Sequence, residues 1–156
     1  MGSHHRFEFQ PGRAIGPFEL GMTPEEVSQV VVNMACEDFE ISGRPDFDRA
    51  FANSLQIDYD PETSRAARVS VYWHPDCGYE CDFNGKPIAA YSSREIFEFL
   101  ARLDGGVHEY EQQTGYRFPI AGVSLFDLDK DYDYSGDGQT LVYGEVGVII
   151  PTSGID

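Results

Sequence analysis

Between Phe126 and Gly138 the chain reads F-D-L-D-K-D-Y-D-Y-S-G-D-G, which places Asp127, Asp129, Asp131, Tyr132, Asp133, Tyr134 and Asp137 in one short run. Three kinds of chemistry can come from such a run. Calcium is the first: Asp131, Asp133, Ser135 and Gly136 match positions 1, 3, 5 and 6 of an EF-hand loop. Position 12, where a bidentate glutamate belongs, is Val142, and no strong helical pattern flanks the loop. A solvated hairpin turn is the second, since Asp and Gly supply turn chemistry on their own. The third is a protein-binding loop, in which Tyr132 and Tyr134 are anchors and the aspartates are steering charges.

Other reactive groups are sparser. His74, Cys77 and Cys81 stand as H-x2-C-x3-C, with Cys36 or His108 as a conceivable fourth ligand. Structural zinc normally uses two tight pairs, and only one loose cluster is present. Buried apolar cysteines beside a turn at Pro75 explain the pattern as well. No G-x-S-x-G elbow occurs, and the Gly136-Asp-Gly138 stretch is too acidic to cradle phosphate. Paired carboxylates for acid–base work are abundant, but sequence spacing cannot set their separation in space. The residues therefore point to no enzyme, no catalytic residue, no resident metal and no cofactor.

The bulk charge agrees with a binding role. The chain has 156 residues, 27 of them acidic and 11 basic, for a formal net charge of −16. Only Lys86 and Lys130 are lysines. Nucleic acid and anionic membranes, which are bound by neutralising phosphate, are excluded as partners. Basic proteins and cations remain. A second acidic concentration between Glu37 and Glu62 carries eight acids against Arg44 and Arg49, and it includes Asp58, Asp60 and Glu62. Three cysteines, an odd number without repeated spacing, fit a reducing cytosol, although a Cys77–Cys81 bridge stays open. No apolar run reaches the roughly 20 residues of a membrane span. Residues 1–5 read as a tag remnant or a disordered start.

The elements that would position these groups are legible. Thr23, Pro24 and Glu26 form a capping box with proline at the first helical position, and Val27, Val30, Val31 and Met34 follow at helical spacing. Ser92 and Glu95 repeat the device ahead of Ile96, Phe97, Phe99, Leu100 and Leu103, and Gly105 and Gly106 end that helix. Period-two alternation over Leu55, Ile57 and Tyr59, and again over Val69, Val71 and Trp73, predicts a hairpin around Asp60-Pro-Glu-Thr. Asn84-Gly85 predicts another, with arms at 79–83 and 86–90. Further strand patterns surround 108–111, 116–118, 123–126 and 141–150, while 36–47 reads as a loop.

The stretch Pro17-Phe-Glu-Leu-Gly-Met-Thr-Pro-Glu-Glu-Val27 resembles a helix-start signature of small bacterial proteins, several of them immunity partners of toxins. It is similar, more distantly, to an element of the β-lactamase inhibitory protein and its structural relatives. Asn84-Gly-Lys-Pro-Ile-Ala-Ala-Tyr-Ser-Ser-Arg-Glu-Ile96 resembles a strand-then-helix piece of the first group. The resemblance covers about a fifth of the chain. It implies a fold that binds proteins on a sheet face, and it carries no catalytic residue across.

Together these observations predict one α+β domain over residues 6–156, with 6–83 and 84–156 as two helix-then-strands halves. One curved antiparallel sheet would carry both helices on a single face. Val27, Val30, Val31, Met34, Ile96, Phe97, Leu100 and Leu103 would face it, and Ile57, Val69, Val71 and Trp73 would meet them. The functional expectation is a cytoplasmic immunity protein, monomeric or weakly dimeric. It would neutralise a basic, nuclease-type toxin through Asp58, Asp60, Glu62, Asp127, Asp129, Asp131, Tyr132, Asp133, Tyr134 and Asp137. A calcium- or small-ligand-binding module using 127–137 is the alternative.

Overall fold

The computed structural model describes residues 5–34, 47–50, 55–72, 79–105, 109–111, 115–129 and 142–151. Both capping boxes form as the sequence predicts. Helix α1 (Pro24–Met34) starts where the Glu26 N–H donates to Thr23 Oγ1 (3.2 Å) and Glu26 Oε1 accepts from the Thr23 N–H (3.1 Å). Helix α2 (Ser93–Leu103) has the same reciprocal pair between Ser92 and Glu95, each bond 3.2 Å. Those hydrogen bonds, assisted by Lys86, hold the Glu95 carboxyl below the usual glutamate range.

Twelve strands are described: β1 (His5–Gln10), β2 (Ala14–Ile15), β3 (Phe18–Glu19), β4 (Phe47–Ala50), β5 (Leu55–Tyr59), β6 (Ala66–Tyr72), β7 (Tyr79–Phe83), β8 (Lys86–Pro87), β9 (Glu109–Glu111), β10 (Gly115–Phe118), β11 (Val123–Asp129) and β12 (Val142–Ile149). The β7–β8 turn has Asn84 and Gly85 both at positive φ (51° and 84°), the mirror-image turn that Asn-Gly favours. Its second arm is shorter than expected, because Ile88–Ala90 winds into a 3-10 turn that leads to α2.

The class is α+β, with strands dominating. The sheet arrangement corrects the single antiparallel sheet expected from sequence. There are two sheets, ordered β3-β2-β1-β7-β8 and β4-β5-β6-β12-β11-β10-β9. In the smaller sheet β1 pairs with β7 in parallel, Arg6 opposite Glu80 and Glu8 opposite Asp82. That pairing needs a long crossover, and the whole run from β2 to β6 supplies it. Local hairpin reasoning sees only neighbours in sequence, so it misses this contact. The larger sheet is antiparallel throughout, and β6 joins β12 across the two expected halves, Val69 opposite Val148 and Val71 opposite Val146.

One contiguous core draws on both sheets and both helices. Phe7, Phe9, Ile15, Phe18, Tyr79 and Phe83 come from the smaller sheet, and Leu55, Ile57, Val69, Val71, Leu125 and Val148 from the larger. Val27, Ile96 and Leu100 are the buried helix residues, while Val30, Val31, Met34 and Phe97 pack partly buried against them. Leu103 departs from expectation: it is 50% exposed, because it lies in the last turn of α2, beyond the sheet contact made by Leu100. Trp73 lies outside the described residues. Among the described residues no helix is long and apolar enough to cross a membrane.

The sheets are stitched at one end by backbone bonds. Gly21 N–H donates to the Ala66 carbonyl (2.8 Å) and Ala66 N–H to that of Met22 (2.7 Å). Gly12 and Ile149 both donate to the Gly122 carbonyl, at 3.0 and 2.9 Å. Asp104, fully buried, caps α2 and ties down the next turn: its Oδ1 accepts from the N–H groups of Ile120 (2.7 Å) and Ala121 (2.8 Å).

Candidate functional site

Alternation along β5, β6, β11 and β12 turns one set of side chains into the core and leaves the other on the outer face of the larger sheet. Register then decides which outer residues meet. Asp58 stands opposite Arg68, and Gln56 opposite Ser70, across β5 and β6. Ser70 is opposite Gly147, Gly147 opposite Ser124, and Ser124 opposite Arg117, so a row of small and polar residues crosses four strands. One step along, Glu145 lies between Tyr72 on β6 and Phe126 on β11.

Arg68 organises this face. Its side chain lies across β12, where Gly147 leaves room for it; a Cβ there would come 3.0 Å from Ser124 Oγ and 3.1 Å from Ser70 Cβ. From that position the guanidinium donates to Ser124 Oγ through Nε (3.3 Å) and Nη2 (3.2 Å), to Ser70 Oγ (3.2 Å) and to Glu145 Oε1 (2.7 Å). Asp58 Oδ2 approaches Nη1 at 3.8 Å, and the Phe126 ring centroid is 5.2 Å from the guanidinium carbon. One arginine thus cross-links β6, β11 and β12. Beside it opens a cavity of about 330 Å3 whose lining includes Arg68, Arg117, Ser124, Phe126, Ile149 and Ile150.

The sequence-predicted residues fall into separate places. Asp129 pairs with Val142, so β11 ends and β12 begins at the same end of the sheet. Asp127 and Asp129 belong to β11 and reach that end, whereas Asp131, Tyr132, Asp133, Tyr134 and Asp137 lie outside the described residues. The turn at 60–65 joins β5 to β6 at the opposite end, because Tyr59 pairs with Ala66 while Leu55 pairs with Val71. At about 3.3 Å per residue the two acidic ends are about 30 Å apart. Asp58 is engaged by Arg68 and by Gln56, whose Nε2 donates to it at 2.7 Å. Asp60 accepts from the N–H groups of Glu62 (2.7 Å) and Thr63 (3.3 Å), which makes it the residue that shapes the turn. Glu62 is exposed.

Arg68, Ser70, Arg117, Ser124 and Glu145 were not singled out in the sequence. Alternation around Val69 and Val71 does put Arg68 and Ser70 on the outer face. Their meeting with Ser124 and Glu145 depends on the β6–β12–β11 pairing, for which there is no local signal. The zinc cluster is not assembled from described residues: Cys81 is buried, and His74, Cys77, Cys36 and His108 lie outside them. Among the described residues no group of three metal-ligating side chains converges. No protein-family model matches the chain, and no match was found among curated proteins or solved structures.

Proposed function

We propose that this protein is an immunity-type inhibitor that docks a cationic toxin domain on the outer face of its larger sheet. One observation carries the reading: a face whose middle is charge-compensated and partly apolar has an acidic turn at one end, and at the other end the strand termini Asp129 and Val142 that bracket the most acidic run of the sequence. In the middle, Asp58 and Glu145 offset Arg68, and Tyr72 and Phe126 supply aromatic surface. At one end stands the turn with Asp60 and Glu62; at the other, β11 and β12 frame the segment holding Asp131, Asp133 and Asp137. A rim that steers and a centre that docks is the usual anatomy of a protein interface. A separation of about 30 Å suits a single domain, since a standard interface covers about 800 Å2 per partner.

The carboxylates would accelerate encounter with a basic surface, and the aromatic centre would hold it. The partner is sought first in the product of the adjacent gene, where a toxin is normally encoded. Co-expression should protect cells from that product, and the purified proteins should associate at a rate that falls steeply with salt. An adjacent product that is not basic, or that remains toxic in the presence of this protein, refutes the proposal. Calcium calorimetry separates the alternative: saturable heat abolished by Asp131→Ala would favour an ion-binding module.

A further inference from the structure

The cavity beside Arg68 has a chemistry that the partner reading does not use. In a chain with 27 acidic and 11 basic residues, two arginines share its wall. Arg117 is exposed and stands opposite Ser124 on β11 and Glu109 on β9. Arg68 commits four of its five N–H groups to Ser124, Ser70 and Glu145, with Asp58 at 3.8 Å beyond hydrogen-bond reach of the fifth. Ser124 is 3% exposed and accepts two hydrogen bonds from Arg68, one for each lone pair, which leaves its hydroxyl proton free to donate. The polar side chains on the cavity wall are thus Arg68, Arg117 and the Ser124 hydroxyl. The rest is apolar, with the Phe126 ring, Ile149, and Ile150, which is 54% exposed.

We infer that this concavity is a binding site for a small organic acid, its carboxylate held by Arg117 and the Ser124 hydroxyl and its apolar body laid against Phe126, Ile149 and Ile150. A volume of about 330 Å3 lies at the small end of ligand sites, which suits a single ring or a short chain rather than a nucleotide. Arg68 acts as a positioning residue. Its bonds to Ser124 fix that hydroxyl as a donor, and Glu145 holds the guanidinium in place. The site lies on the face proposed for docking and shares Arg68 and Phe126 with it, but binding of a small acid is read on this protein alone.

Phenylbutyrate is the probe, titrated calorimetrically into the full chain, with phenylbutanol as the uncharged match. Saturable one-site binding of the acid is expected at about 1 mM or tighter, with the alcohol at least about tenfold weaker. Arg117→Gln should weaken the acid about tenfold or more and leave the alcohol unchanged, since only the charged hydrogen bond is lost. Ile150→Glu should weaken both ligands. Arg102→Gln, which changes an exposed arginine on α2 away from this cavity, should change neither. Each variant lies on the surface and is expected to keep the parent melting curve. No saturable binding of the acid, equal binding of the two probes, or an Arg117→Gln variant that binds the acid like the parent would each overturn the assignment.

Discussion

Arg68 shows how much one surface side chain can carry when register brings acceptors to it. Glu145 is mostly buried, with a side chain 17% exposed, and its charge is met by Arg68 at 2.7 Å. Arg68→Met would leave that carboxylate uncompensated, which should cost about 3 kcal/mol in urea denaturation. Adding Glu145→Gln should recover a large part of the loss, because the buried charge is gone. Equal destabilisation by the single and double variants would show that Arg68 acts through packing alone. Tyr143 makes a second, pH-dependent contribution. Burial, with a smaller contribution from Tyr116, pushes its hydroxyl up to about 12 from the ordinary 10.0. A raised value means the protonated phenol is favoured in the fold. Its contribution is intact below about pH 10 and is lost as pH climbs towards 12. Tyr143→Phe should flatten that alkaline decline in thermal stability, and an unchanged slope would assign it to other groups.

At the scale of elements, the helices, their caps and the Asn84-Gly85 turn were legible because each is set by residues within four positions of one another. The junction between sheets was not. Gly122 has φ +74°, and a Cβ there would sit 2.4 Å from Gly12 Cα and 2.7 Å from the Ile149 carbonyl oxygen. The turn before β11 is thereby pressed against the β1–β2 turn, and the Gly122 carbonyl takes two N–H groups. Gly122→Ala should destabilise by about 3 kcal/mol or more, since both the dihedral and the space are wrong for a side chain. A chemical-denaturation midpoint within error of the parent would mean the two turns can separate without loss. Gly21→Ala is the matched control: it has the same left-handed geometry at φ +89°, but nothing lies within 4 Å, so it should cost only the dihedral strain.

For the whole molecule, the net charge of −16 predicts behaviour more directly than structure. Association with a basic partner should slow by about tenfold or more between low and physiological salt, because fields beyond roughly 10 Å are screened at about 0.1 M. Replacing Asp131, Asp133 and Asp137 with asparagine should slow association without changing the melting temperature. A change in dissociation alone would instead place those residues inside the interface. Composition and alternation were enough to determine that this chain forms two capped helices among amphipathic strands, carries a strong negative field and belongs to the α+β class. Those properties are local or additive, so they survive without knowledge of contacts. Only the tertiary structure decided that β1 runs parallel to β7, that β6 lies beside β12, and that the Asp60–Glu62 turn and the Asp129–Val142 pair stand at opposite ends of one sheet. Strand pairing between distant segments rests on many weak side-chain choices made at once, and no short window of residues records it. The convergence of Arg68, Ser124, Glu145 and Arg117 is a product of that pairing.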